Sequence, residues 1–228
     1  MVANGTSSTG VGQQKARILV VEDHPLFRER LIEVIHREGD LVVCGEADNV
    51  DEAMRLIRET RPDLVLLDIT LKESNGLALV KALKSQGSGI PVLILSMHDE
   101  GIYAARSIRA GARGYITKDR TAADVIIGIR TVLSGDVFLS ERATLDLARS
   151  LAGPVVPGGS RRMGRLTDRE LEVLRLLGRG YTTREVAQSL KLGIASIDTY
   201  RARIKEKMSL RNAAELQSFA TRWVTEQE

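Results

Sequence analysis

From Arg17 onward the sequence alternates short, wholly apolar runs with longer amphipathic stretches, and each apolar run is closed by polar or turn residues. This rhythm constrains the fold more than any other feature, because repeated strand and helix units assemble a sheet whose strands run parallel. The runs are Ile18-Leu19-Val20-Val21, Leu41-Val42-Val43-Cys44, Leu64-Val65-Leu66-Leu67, Val92-Leu93-Ile94-Leu95 and the weaker Gly114-Tyr115-Ile116-Thr117. They are apolar at consecutive rather than alternate positions, so both faces of each strand must be covered. Between them, Phe27, Leu31, Val34 and Ile35, and again Leu77, Val80 and Leu83, recur at the three- and four-residue spacing of a helix face. The pattern predicts an α/β fold over residues 16–135: a five-stranded, parallel, doubly wound sheet.

The rhythm then changes. A helical stretch from about Ser140 to Leu151 leads into Gly153-Pro154-Val155-Val156-Pro157-Gly158-Gly159-Ser160, which cannot continue a helix. Residues 136–164 are therefore expected to be a linker helix followed by a flexible linker. Residues 165–228 keep helical periodicity throughout and predict a small all-α domain. Residues 1–15, rich in Gly, Ser, Thr, Asn and Gln, predict a disordered tail. Charge divides at the same place: residues 1–160 hold 19 Lys and Arg against 21 Asp and Glu, while residues 161–228 hold 14 against 9. A compact basic module points to nucleic acid, although a solvated surface with surplus arginine gives the same count. No apolar run approaches the roughly 18 residues of a membrane span. Cys44 is the single cysteine, and the opening stretch lacks the apolar core of a secretory signal, so a cytoplasmic protein without a membrane role is expected.

Three predicted strands end directly on polar residues: Glu22-Asp23 after the first, Asp68 after the third and Ser96 after the fourth. In a parallel sheet these ends share one edge, where open α/β sheets bind their ligands. Three carboxylates there would repel one another unless a cation held them, and hard oxygen donors suit Mg²⁺. Lys118 follows the fifth strand and adds a compact positive charge. A divalent cation, a lysine, a hydroxyl and a carboxylate nucleophile make a phosphoryl-transfer site. Taken singly, Asp68 or Ser96 reads equally well as a helix cap, and Lys118 as a solvated loop end; their shared position on successive strand ends favours the site.

In the basic part, Thr167 stands three residues before Glu170, ahead of the apolar series Leu171, Val173, Leu174, Leu176 and Leu177, and this is a capping box opening a helix. Thr182 or Thr183 caps a second, short helix. A turn at Lys191-Leu192-Gly193 leads into a third, from Ala195 to Met208, which completes a helix-turn-helix. On the third helix Ile197, Ile204, Met208 and part of Tyr200 face inward. Ser196, Thr199, Arg203 and Lys207, flanked by Arg201 and Lys205, form the candidate DNA face together with Thr183 and Tyr200. A solvated basic face is the plainer alternative.

These segments together resemble the two-component response regulators, specifically the NarL/FixJ type with a LuxR-type DNA-binding domain. The resemblance rests on Glu22-Asp23-His24-Pro25, on Asp68 with Gly76 after it, on Leu95-Ser96-Met97-His98, on the run Gly111 to Asp119, and on Leu166-Thr-Asp-Arg-Glu, Glu185-Val-Ala and Thr199-Tyr-Arg-Ala-Arg-Ile. It implies a receiver in which Asp68 is the phosphoacceptor, Glu22, Asp23, Asp68 and the Thr70 carbonyl hold Mg²⁺, and Lys118 contacts the phosphoryl group. Ser96 would bond a phosphoryl oxygen and Tyr115 would move inward behind it. The implied partners are a sensor histidine kinase, a double-stranded DNA operator, a second copy of the chain and RNA polymerase. The resemblance implies no enzyme activity beyond accepting and losing the chain's own phosphoryl group. The last helix, Ala213 to Val224, resembles the family's dimerising segment. Lys72, Asp168 and Ala195 depart from the family pattern, where proline, proline and a DNA-contacting lysine are usual.

Two other readings compete. A haloacid-dehalogenase-type phosphohydrolase also uses a strand-end Asp with Mg²⁺, but it carries a second Asp two residues later, where this chain has Thr70. The other is a DNA-binding protein that works without phosphorylation. The acidic first domain and basic second domain further predict a resting contact in which the receiver covers Thr199 and Arg203.

Overall fold

In the computed structural model, which describes residues 14–71, 74–151 and 163–226, the first part of the chain is a five-stranded parallel sheet. Its elements in chain order are β1 (Ala16–Val21), α1 (Pro25–His36), β2 (Leu41–Ala47), α2 (Val50–Thr60), β3 (Leu64–Leu67), α3 (Gly76–Ser85), β4 (Val92–Ser96), α4 (Glu100–Ala110), β5 (Gly114–Thr117) and α5 (Ala122–Leu133). A two-residue antiparallel ribbon, Thr70–Leu71 with Ser74–Asn75, lies between β3 and α3. The strand order is β2-β1-β3-β4-β5, and every pairing is parallel. The chain runs outward from β1 to β2 and then returns past β1 to β3, so order reverses between β1 and β3 and their departing loops open a crevice.

Consecutive apolar residues in the strands serve opposite faces, as their pattern requires. Leu19, Val21, Val65, Leu67, Val92 and Ile94 pack with Ala53 and Ile57 of α2, Leu77 and Val80 of α3 and Ile102 of α4. Ile18, Val20, Leu64, Leu66, Leu93 and Leu95 pack with Leu31, Val34 and Ile35 of α1 and Val125, Ile126, Ile129 and Val132 of α5. The segment after α5 lies along β5: the Tyr115 N–H donates to the Phe138 carbonyl at 2.9 Å and the Phe138 N–H to Arg113 at 3.0 Å. This pairing covers what would be an open strand edge. The predicted linker helix is α6 (Glu141–Leu151), which packs on α4 and buries Ala143. The predicted tail up to Gln13, the Gly/Pro linker from Gly153 to Ser160, and Lys72 fall outside the described residues.

The second part is helical: α7 (Asp168–Gly178), α8 (Thr183–Ser189), α9 (Ile194–Met208) and α10 (Ala213–Thr225). Thr167 and Glu170 close a capping box on α7, and Thr182, rather than Thr183, does so with Glu185 on α8. Each box satisfies two helix-end N–H groups that would otherwise lack partners. Leu171, Leu174, Val186, Ile197, Ile204, Leu216 and Ala220 form the core of this part. Helices α7 and α10 meet so closely at Gly178 that an added Cβ would lie 2.4 Å from the Ala220 carbonyl oxygen. Among the described residues no helix is long and apolar enough to cross a membrane.

Candidate functional site

The register Val21↔Leu67↔Ile94 brings the carboxyl ends of β1, β3 and β4 level, and Ser96↔Thr117 adds β5. Ladder hydrogen bonds continue past the strands: the Asp68 N–H donates to the Val21 carbonyl and the Lys118 N–H to the Ser96 carbonyl, each at 2.9 Å. Glu22, Asp23, Asp68 and Ser96 are thereby buried on one edge. Lys118 Nζ lies 2.8 Å from Asp68 Oδ2 and 2.6 Å from Glu22 Oε2, and sits 4.6 Å above the centre of the Phe27 ring. The Thr70 N–H donates to Asp68 Oδ1 at 3.1 Å. Behind Asp68, a Cβ on Gly76 would come within 2.2 Å of the Asp68 carbonyl oxygen, so only glycine fits where α3 begins.

Burial pushes the Asp68 carboxyl up to about 6, helped by the negative charge of Glu22 and opposed by Lys118 and the Thr70 N–H. One lysine between two carboxylates leaves the cluster with surplus negative charge. Asp23 Oδ1 is buried and accepts no hydrogen bond, although His24 Nδ1 is 3.0 Å away. Ligand atoms of Glu22, Asp23, His24 and Asp68 all lie within 4.8 Å of one another. An orphaned carboxylate oxygen among hard donors fits a divalent cation of Mg²⁺ type.

Ser96 is fully buried, and its Oγ accepts from the His98 N–H at 3.3 Å. Tyr115, expected to move inward, already lies inward: it is 2% exposed, and its hydroxyl donates to the His98 carbonyl at 2.8 Å. His98 thus receives a bond from one of the two switch candidates and donates to the other. Sequence reasoning gave this residue no role. Its ring stacks on Tyr103 with centroids 4.6 Å apart, and its Nε2 is 2.7 Å from Thr70 Oγ1. Burial lowers the imidazole to about 3, and Arg175, Arg179 and Lys118 push in the same direction.

Arg175 belongs to α7, so the helical domain reaches the rim of this site. The same helix begins with Asp168, which accepts from Arg106 Nη1 at 2.9 Å and from Lys81 Nζ. Arg106 Nη2 also donates to the Met163 and Leu166 carbonyls, at 2.7 and 2.6 Å. The Asp168 departure is therefore an anchor between the two domains as well as a helix-start residue. The expected resting contact over Thr199 and Arg203 is corrected by this geometry: α7 faces the receiver, and both residues are exposed.

On α9 the candidate DNA residues divide. Ser196, Thr199 and Arg203 are exposed, together with Ala195, Asp198, Ala202 and Glu206. Lys207 instead turns back to Glu170, with Nζ at 2.6 and 2.9 Å from its two oxygens. Burial alone would raise the Glu170 carboxyl, but the bonds from Lys207 and Thr167 outweigh it and hold it below its usual range. Arg201 Nη1 donates to Thr183 Oγ1 at 2.7 Å, which ties α9 to α8. Tyr200 packs partly against the core, and Lys205 is half-buried. The open face is consequently less basic than the count of Arg and Lys on the helix suggests.

Residues 18–130 match the family model of the response regulator receiver domain, and residues 164–220 match that of the bacterial regulatory proteins of the luxR family. The nitrate/nitrite response regulator protein NarL of Escherichia coli K12 is 31% identical over 205 residues, spanning 89% of this chain and 94% of NarL. The Fimbriae Z protein of Salmonella typhimurium LT2 is 32% identical over 205 residues, spanning 90% and 96%. A crystal structure of a LuxR-family two-component response regulator from Aurantimonas sp. SI85-9A1 shares 33% identity at a TM-score of 0.57, covering 61% of this chain and 100% of its own. RcsB of Salmonella enterica serovar Typhimurium, solved bound to the promoter rprA with phosphomimetic BeF₃⁻, shares the fold at a TM-score of 0.68 and 19% identity over 91% of this chain and 99% of its own. The chain belongs to the two-component response regulators of the NarL/FixJ type, transcription regulators in which a receiver is joined to a LuxR-type helix-turn-helix domain.

Proposed function

We propose that Asp68 accepts a phosphoryl group from the phosphohistidine of a sensor kinase, and that this event controls binding of the helical domain to a double-stranded operator. An Asp68 oxygen attacks phosphorus, the P–N bond breaks, and the histidine leaves with a proton. Glu22, Asp23, Asp68 and the Thr70 carbonyl would hold Mg²⁺, which supplies charge neutralisation for the incoming phosphoryl oxygens. Lys118, now shared between Asp68 and Glu22, then turns to the phosphoryl group, and the Ser96 hydroxyl donates to one of its oxygens. Loss of the phosphoryl group by hydrolysis resets the chain, which acts on no other substrate. The observation that supports this reading is the buried Asp68, paired to Lys118 and within 4.8 Å of an Asp23 carboxylate whose Oδ1 accepts no hydrogen bond.

The reading places the protein in the cytoplasm, where kinase and DNA are both available. Ser196, Thr199 and Arg203 meet base edges or phosphates, Lys205 contributes to the phosphate contacts, and Thr183, Tyr200, Arg201 and Lys207 chiefly set the angle of α9. Pairing of two copies through α10 on a two-half-site operator, and contact with RNA polymerase, complete the proposed partners. Incubation with a small-molecule phosphodonor tests the chemistry. Wild type should take up one phosphoryl group per chain in Mg²⁺ and none in EDTA. Equal labelling of Asp68→Asn would refute the assignment.

A further inference from the structure

The turn after β1 sets an imidazole beside the acidic pair. His24 stands at the N-cap of α1, where Ser, Thr, Asp or Asn would bond a free helix N–H, yet its side chain makes no cap bond. The ring turns toward the carboxylates instead. Its Nδ1 is 3.1 Å from Glu22 Oε1 and 3.0 Å from Asp23 Oδ1, while the side chain stays 67% exposed. Lys118 takes the other Glu22 oxygen, Oε2, at 2.6 Å.

The two oxygens that face the ring are held differently. Glu22 Oε1 accepts from the His24 main-chain N–H at 3.1 Å, whereas Asp23 Oδ1 is buried and accepts no hydrogen bond, the nearby ring nitrogen included. A ring nitrogen carries at most one proton. Donated to Glu22 Oε1, that proton leaves the Asp23 carboxylate, only 4% exposed, without compensation. A cation shared by all three atoms accounts for both contacts. Ligands at roughly 2.1 Å from an octahedral ion stand about 3.0 Å apart along each edge. Both nitrogen–oxygen separations match that edge, and an Asp68 oxygen lies within 4.8 Å of the same atoms.

The nitrogen decides which ion the cluster favours. Oxygen donors alone suit Mg²⁺ and Mn²⁺; imidazole suits Fe²⁺, Ni²⁺ and Zn²⁺, and affinity for a site containing nitrogen rises from Mn²⁺ through Co²⁺ to Ni²⁺. With Nδ1 on the cation the ring proton sits on Nε2, and an exposed side chain lets water accept it. We propose that His24 Nδ1 joins Glu22, Asp23 and Asp68 as a direct ligand, and that this imidazole tilts the strand-end site from Mg²⁺ toward first-row transition-metal dications. The inference rests on reading Glu22, Asp23 and Asp68 as a cation site. Occupancy beside Asp68 then follows the supply of such ions as well as that of Mg²⁺.

The test titrates the untagged full chain with Mg²⁺, Mn²⁺, Co²⁺ and Ni²⁺ at one pH, followed by calorimetry, for wild type, His24→Ala and Asp23→Asn. His24→Ala should lose affinity in the order Mg²⁺, Mn²⁺, Co²⁺, Ni²⁺, from about twofold or less to about tenfold or more. Asp23→Asn should weaken all four. Pulsed EPR of bound Mn²⁺ should show a ¹⁴N coupling in wild type that His24→Ala abolishes and His36→Ala keeps. The wild-type spectrum decides the matter even if a variant does not fold. Equal losses for all four ions in His24→Ala, or no ¹⁴N coupling in wild type, overturn the imidazole ligand and leave the cation site standing. A wild-type chain that binds none of the four ions, or affinities untouched in Asp23→Asn, overturns the cation site itself and the inference with it.

Discussion

Asp68→Asn exchanges an ionisable group for a neutral one of nearly the same shape, at a position where burial and then Glu22 push the carboxyl up to about 6 from an ordinary 3.8. A raised carboxyl means that the folded protein binds the proton more tightly than the unfolded chain does. Wild type should therefore match the Asn variant below about pH 3.8, lose ground as pH rises toward 6, and stay at a constant deficit above it. A difference of about 2 pKa units corresponds to about 3 kcal/mol at pH 7, falling to roughly half that at pH 5. For a chain of this size the deficit at neutral pH is about 6–12 °C in Tm. Thermal unfolding of both proteins in EDTA, from pH 4 to pH 8, measures it directly. The added Asn stability should shrink when Mg²⁺ is supplied, because the cation binds the ionised wild-type cluster. An Asn variant that is equally stable or less stable at pH 7 in EDTA would refute the claim that this carboxylate is held at a cost.

Asp23→Asn should weaken Mg²⁺ binding at least tenfold in a titration followed by calorimetry, since it neutralises a buried carboxylate whose Oδ1 accepts no hydrogen bond among the described residues. Arg203→Ala should weaken binding to operator and random duplex alike and lower the salt slope by about one. Lys207→Ala should instead cost about 1–3 kcal/mol of stability in a denaturant melt, by leaving the buried Glu170 carboxylate with its Thr167 bond but no countercharge. Gly178→Ala should lower Tm by several degrees, because its methyl group meets the Ala220 carbonyl and Val224 and must push α10 away from α7.

The sheet was legible because each strand is apolar on both faces, and the catalytic edge because a parallel sheet sends every carboxyl end the same way. Glu22, Asp23, Asp68, Ser96 and Lys118 needed no knowledge of tertiary contacts beyond that. His98 and Arg175 did. Their meeting depends on how one domain docks against the other, and neither spacing nor composition encodes a contact between residues separated by a linker. Asp168 shows the same limit, since a helix-start acid reads as a cap whether or not Arg106 lies against it. On α9, periodicity assigned an angular position to Arg201 and Lys207 but could not supply the acceptors, Thr183 and Glu170, that wait on neighbouring helices. The missed docking mode had a related cause: net charge measured the attraction between domains without specifying which helix would meet the receiver.

The division of α9 into two strips bears on how regulators of this architecture diverge after duplication. Ile197, Arg201, Ile204, Lys207 and Met208 are committed to the helical domain, by packing or through Thr183 and Glu170, and a change in any of them disturbs the domain before it alters recognition. Ala195, Ser196, Thr199, Ala202 and Arg203 are exposed. Substitutions there fall outside the core, where most exchanges change stability by no more than about 0.5 kcal/mol. If the exposed strip reads DNA as proposed, a copy of this gene can drift to a new operator one residue at a time while its fold, its α7 contacts and its acidic strand-end cluster stay as they were.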